Sequence, residues 1–180
     1  MAWTAPMTAV SGNAFTAAEF NTYIRDNLLE TAPAKATTAT GYFVATGANA
    51  IAERLPTSGF TSSAQNTTTT GSFHDLATVG PSVTVTTGTK ALVLFQSHCQ
   101  NTSSASAVQA ISVAISGATT STATFDRAAQ IDGLATNEKS TISGFNLVTL
   151  NAGSNTFKLQ YYASAGVGQF ERRHIIVIPF

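Results

Sequence analysis

The sequence predicts a mainly β protein led by a short helical arm, and three observations predict it. Beyond about residue 65, runs rich in β-branched and aromatic residues recur between Gly, Pro, Asn and Asp turn signals. Charged residues make up only 10% of the 180-residue chain, and Thr and Ser carry much of its polarity, which suits pleated, half-buried surfaces. Only one stretch, 16–31, carries a full set of helix signals.

Residues 1–15 form an irregular lead with Trp3, Pro6 and Gly12. A Trp at this place serves equally as an anchor or as a residue packed on its own unit. Thr16 stands at the helix N-cap with Glu19 three residues on, a capping box in which the Thr hydroxyl accepts from the Glu19 N–H and the carboxylate reaches back. Phe15 and Phe20 have the spacing of a hydrophobic staple. Phe20, Tyr23, Ile24 and Leu28 form one apolar stripe. Pro33 is expected to stop the helix by pushing Ala32 out of the α region. A helix of about four turns is marginal alone in water, so the stripe needs a surface to lie on.

Residues 41–56 read as a short hairpin, Gly41 to Gly47 and Asn49 to Pro56 with Gly47-Ala48-Asn49 between them, reached through the polar spacer Thr37 to Gly41. The Thr/Ser/Gly-rich run 57–69 reads as the boundary between an arm, residues 1–60, and a head, residues 61–180. Strands are expected at 65–76, 82–87, 90–99, 107–116, 122–130, 140–150, 155–163 and 169–179. Val83 and Val85, Val113 and Ile115, and Phe157, Leu159 and Tyr161 each alternate with more polar or smaller neighbours, which marks sheets with one buried face. Two runs, Ala91 to Phe95 and Ile175 to Ile178, are apolar on both faces and need a second cover, from another chain or from the N-terminal segment. Eight strands in one unit predict an antiparallel jelly-roll-like β-sandwich; an immunoglobulin-like sandwich competes, but its Cys…Trp…Cys spacing is absent. Leu92, Leu94, Ile176 and Ile178 of these runs, with the terminal Phe180, are the candidate oligomer interface.

Several function classes are disfavoured. With nine basic and nine acidic residues the formal net charge is zero, so nothing draws the chain to nucleic acid or to an anionic membrane. No basic start with an apolar run marks a signal peptide, and no stretch reaches the length of a membrane span. The protein is thus expected to be made in the cytoplasm. Asn66-Thr67-Thr68 and Asn101-Thr102-Ser103 match the glycosylation pattern but carry no weight without a secretory route. The single Cys99 lies in a strand and is expected to be a buried, inert thiol. No nucleophile elbow, phosphate loop or His-Glu-x-x-His motif occurs, and His74, His98 and His174 lie on separate strands, so no catalytic, cofactor or metal site is expected. Glu171-Arg172-Arg173 reads as a solvated turn or an inter-subunit ion pair.

The lead and helix, Trp3-x-x-Pro6, Gly12 and Phe15-Thr16-Ala17-Ala18-Glu19-Phe20-Asn21-Thr22-Tyr23-Ile24-Arg25-Asp26-Asn27-Leu28-Leu29, resemble the leader of small virion proteins of tailed bacteriophages, especially those of actinobacteria. The segment from Gly41 to Pro56 is similar to one common in phage fibre and surface proteins. Together they cover about a third of the chain. The resemblance implies a structural virion protein at the particle surface, assembled in the host cytoplasm. Its arm would dock on capsid or tail proteins through Trp3, Phe15, Phe20, Tyr23, Ile24 and Leu28, and its head would form a homo-oligomer, a trimer, as a capsid decoration or short head fibre. The alternative is a tail fibre head that binds host surface carbohydrate, for which Tyr161, Tyr162 and Phe170 are candidates. A free-standing carbohydrate-binding module would leave residues 1–60 without a role, and a cell-wall hydrolase would need paired carboxylates that the sequence does not display.

Overall fold

The computed structural model describes residues 3–68, 71–103 and 107–180. The chain divides into two compact units, Met1–Leu55 and Pro56–Phe180. The division falls before the Thr/Ser-rich run rather than within it. That run, expected to be a boundary, supplies two strands of the second unit. Exposed Thr is at home on a pleated edge, so a polar composition did not make it a linker.

In the first unit the helix starts as expected. Thr16 Oγ1 accepts from the Glu19 N–H at 3.2 Å, and Glu19 Oε2 accepts from the Thr16 N–H at 2.9 Å. The Phe15 and Phe20 rings meet edge to face at 6.1 Å. The expected single helix over 16–31 is, however, a sequence of shorter pieces: α1 (Ala17–Phe20), a π-helical turn (Asn21–Arg25) and α2 (Asp26–Leu29). Pro33 does not end it. The break comes earlier, at Thr31, whose backbone is extended, and Pro33 sits in the first turn of α3 (Ala32–Lys35), where its missing N–H has no helical partner to lose. Buried Asn27 ties the lead to the helix: its side chain accepts from Thr4 N at 2.9 Å and donates to Thr4 O and Tyr23 O, each at 3.0 Å. The hairpin pairs β1 (Tyr42–Gly47) with β2 (Ala50–Arg54), and Asn49 takes the positive φ of 55° that the turn demands. The polar spacer is held too. The Glu53 carboxylate accepts from Thr37 Oγ1 at 2.6 Å and from the Thr38 N–H at 3.1 Å, bonds that hold it below its ordinary pKa. Gly41 lets that carboxylate approach, since a Cβ there would lie 2.6 Å from Glu53 Oε1.

The second unit is an antiparallel jelly-roll sandwich. Its strands are β3 (Thr57–Thr61), β4 (Gln65–Thr68), β5 (Ser82–Thr87), β6 (Lys90–Asn101), β7 (Ala107–Gly117), β8 (Ala129–Leu134), β9 (Lys139–Thr149), β10 (Gly153–Ala163) and β11 (Val167–Pro179). One sheet runs β5-β10-β7-β8. The other runs β3-β11-β6-β9, with β4 also paired to β11. From β4 onward every connection except β7 to β8 crosses between layers, as a jelly roll requires. The core lies between the sheets and includes Val93, Phe95, Ile111, Phe157, Leu159 and Ile175. The expected strand over 122–130 is instead a loop with a 3₁₀ turn at Phe125–Arg127, and the strand begins at Ala129. The expected strand 65–76 is short in the structure, and residues 69–70 lie outside the described residues.

Arg173 overturns its sequence reading. β11 carries a bulge between Glu171 and His174 with Arg172 at φ 49°, and the bulge turns Arg173 inward, where it is fully buried. Its guanidinium donates to Thr78 O at 3.1 Å, to Gly80 O at 3.0 Å and to Ser63 O at 3.5 Å, and lies 5.4 Å from the centroid of the Tyr161 ring. Tyr161 Oη donates to the same Gly80 carbonyl at 2.8 Å. The expected solvated turn is therefore an interior clasp. Replacing Arg173 with Ala strips buried carbonyls of their donors and leaves a cavity. Urea unfolding of the second unit should show a loss of about 3–5 kcal/mol.

Candidate functional site

The outer face of the β3-β11-β6-β9 sheet is built by register. Cross-strand pairing aligns Ile176 with Leu94 and Leu94 with Phe145, and aligns Ile178 with Leu92 and Leu92 with Leu147. A third row runs Phe60, His174, Gln96, Ser143. Four of the residues named from the sequence, Leu92, Leu94, Ile176 and Ile178, thus form one contiguous block of partly exposed side chains. Phe180 follows in the same alternation and is 41% exposed.

Sequence reasoning missed the most exposed members of this face. Phe145 is 76% exposed, Leu147 62% and Phe60 61%. In β9 the usual order is inverted: Phe145 and Leu147 face outward, while Gly144 and Asn146 point toward the core. Asn146 satisfies itself by donating to Arg127 O at 2.9 Å. Gly144 is needed because a Cβ there would lie 2.7 Å from Phe95 Cζ. The only signal in the sequence was that glycine between Ser143 and Phe145, which alternation alone does not interpret. Leu94, Gln96, Phe145, His174 and Ile176 also line a depression of about 370 Å³, and Phe60 closes on the His174 ring edge to face at 5.8 Å.

The same face turns polar toward its other end. His98 Nδ1 lies 2.7 Å from Glu171 Oε1, with Lys139 Nζ at 3.8 Å from the same oxygen. The His98 hydrogen bond, aided by the Lys139 charge, holds the Glu171 carboxyl below its ordinary value. Cys99, on the inner side of the same strand, is buried, and desolvation pushes its thiol up to about 11, as expected of an inert cysteine. Among the described residues no group of three or more His, Cys, Asp or Glu side chains could hold a metal ion, and no helix is long and apolar enough to cross a membrane.

In the first unit, the stripe named from the sequence is uncovered. Phe15, Phe20, Ile24 and Leu28 are exposed together with Leu29, while Tyr23 is half-buried. Trp3 is 41% exposed and donates its backbone N–H to Asn49 O at 3.1 Å. Two of the three carbohydrate candidates are corrected. Tyr161 and Phe170 are fully buried, their rings 5.0 Å apart in the core, because β10 and β11 direct their odd and even positions inward respectively at that point. Tyr162 stays on the surface.

No protein-family model matches the chain, and no curated protein sequence matches it significantly. Solved structures with a related β arrangement include the Eiger TNF of S. frugiperda, at 12% identity and a TM-score of 0.46, covering 68% of this chain and 90% of that one. An infectious bursal disease virus structure (Gx strain) matches at 11% identity and a TM-score of 0.39, over 74% of this chain and 40% of that one. The C-terminal domain of EclA, a sugar-binding protein, matches at 13% identity and a TM-score of 0.35, over 94% of this chain and 99% of that one. Overlaps this loose carry no argument about what the chain does.

The Glu171 contact has a pH signature. Its folded pKa lies below the usual 4.5, so its stabilisation is full above that value and is lost as pH falls through the lower folded value. Thermal melts of Glu171→Gln should therefore fall below wild type at neutral pH, and the difference should shrink as pH falls from 4.5 through the lower folded value.

Proposed function

We propose that this chain is a self-associating structural protein of a tailed-bacteriophage particle, with residues 1–55 as the attachment arm and the jelly roll as a homotrimeric surface decoration or short head fibre. The observation that carries the reading is that each unit presents its own uncovered apolar face. On the jelly roll, Phe60, Phe145, Leu147 and Phe180, with the partly exposed aliphatics between them, leave roughly 500 Å² of apolar surface in water, taking about 200 Å² for an aromatic side chain. A homo-oligomer interface of about 800 Å² per partner is roughly 65% apolar, which calls for nearly that area. A second copy of the same face is the cover that needs no other component, and closed cyclic symmetry is the usual way such contacts end.

The arm supports attachment to a different protein. Its stripe is a helix face with exposed Phe20, Ile24 and Leu28, and the leader that carries it resembles those of virion proteins. The zero net charge fits a contact driven by apolar area rather than by steering.

Two measurements test this reading. Light scattering of the full chain should give three times the chain mass, and the double substitution Phe145→Asp with Leu147→Asp should return it to the monomer mass; a wild-type monomer would refute the self-association. Ile24→Asp with Leu28→Asp should abolish incorporation into particles while the melting temperature of the jelly roll stays within about 2 °C of wild type. Normal incorporation of that variant would remove the docking role. Labelling of intact particles then tells capsid from tail attachment.

A further inference from the structure

The opposite sheet turns a different surface to solvent. On β10, Lys158, Gln160 and Tyr162 alternate with the buried Phe157, Leu159 and Tyr161, so they form one outward row about 13 Å long at the usual rise per residue. The bridge between His74 and Tyr161 lays residues 73–75 alongside that row, with Phe73 beside Tyr162 and Asp75 beside Gln160. Phe125 arrives from the loop before β8. Ser112 on the neighbouring strand fixes that loop, because its Oγ donates to Thr124 O at 2.9 Å and accepts from Thr124 N at 3.3 Å.

The result is an aromatic end and a polar end on one surface. Phe125 and Tyr162 pack edge to face at 4.8 Å, Phe73 and Phe125 lie 4.9 Å apart, and Phe73 and Tyr162 lie 5.7 Å apart. At the other end Asp75 accepts from Lys158 Nζ at 2.6 Å and from Gln160 Nε2 at 3.2 Å. An aromatic group that merely pinned the loop would bury its rings. Phe125 instead remains 48% exposed, and the Lys158 and Asp75 side chains keep about a third of their surface in water.

We propose that this row binds a neutral oligosaccharide. The C–H face of one sugar ring stacks on the Phe125–Tyr162 edge, and the hydroxyls of the next ring meet the Asp75 carboxylate and the Gln160 amide. The chemistry selects this class. Lys158 and Asp75 neutralise each other, so the row offers no net charge to a phosphate or sulfate polymer. The carboxylate keeps lone pairs beyond the two it uses, and its orientation is already set by two donors, which lowers the ordering cost of binding. Aromatic surface beside a few fixed polar groups is the general makeup of a small-ligand site. This inference goes beyond the assembly role and is independent of it, because the row lies on the outer face of the other sheet and remains open when the Phe145 face is covered.

Saturation-transfer NMR on the full chain, with lactose, cellobiose, maltotriose and diacetylchitobiose as probes, tests the proposal. At least one sugar should receive saturation on its ring protons. Phe125→Ala and Asp75→Asn should each weaken that binding about five-fold or more, Asp75→Asn doing so with its shape kept and a cooperative melt retained. Phe145→Asp should leave it intact, which separates this site from self-association. Absence of transfer from all four sugars, or binding unchanged in either Phe125→Ala or Asp75→Asn, overturns the proposal.

Discussion

The guanidinium of Arg173 is a full positive charge inside the sandwich whose partners are carbonyls and an aromatic face. Burying such a charge is tolerable only when most of its donors are used and a π-face stands in for a counter-ion. Those partners come from segments far apart in the chain: Ser63 from the break between β3 and β4, Thr78 and Gly80 from the crossing into β5, and Tyr161 from near the C-terminal end of β10. One side chain thus holds the edge of one sheet, the loop that leaves it and the central strand of the other. The β11 bulge that turns Arg173 inward also explains why the edge strand comes in two pieces. β3 pairs with residues 173–177 and β4 with residues 167–170, and the gap between them faces the bulge. Arg172 N donates to Ser62 O at 3.4 Å across that gap.

With the layers clasped in this way, each sheet has a defined outer face, and the two faces differ. The β3-β11-β6-β9 face carries large aliphatic and aromatic side chains in register across three strands, grading into the His98–Glu171–Lys139 group at one end. The β5-β10-β7-β8 face carries Thr84 and Thr156 joined by a 2.7 Å hydrogen bond, and beyond them the Lys158–Tyr162 row. Low overall charge has opposite consequences on the two sides. On the first it removes the repulsion that would keep copies apart; on the second it leaves hydrogen bonding and ring stacking as the available recognition chemistry.

Much of the fold was legible because it rests on local rules. The capping box at Thr16 and Glu19, the hairpin turn at Asn49, and the alternation in β5, β7 and β10 follow from neighbours within a few residues, and the sandwich class follows from their repetition. The misreadings share a cause. Thr57 to Thr61 looks like a spacer until β11 offers it an edge, and 122–130 looks like a strand until Ser112 draws Thr124 over the sheet. Pro33 looks like a terminator, yet the chain had already turned at Thr31 and used it to begin α3.

The candidate surfaces divide along the same line. The sequence by itself determined that Leu92, Leu94, Ile176 and Ile178 belong to strands apolar on both faces, and that Phe20, Ile24 and Leu28 share a helix face, because period-2 and period-3.6 patterns are properties of the backbone. Only the tertiary structure decided that Phe145 and Leu147 join the aliphatic block, that Arg173 points inward, and that Tyr161 and Phe170 are core while Tyr162 meets Phe73 and Phe125 at the surface. Those outcomes depend on register, on one bulge and on loop placement, and a shift of a single residue in any of them exchanges inside for outside.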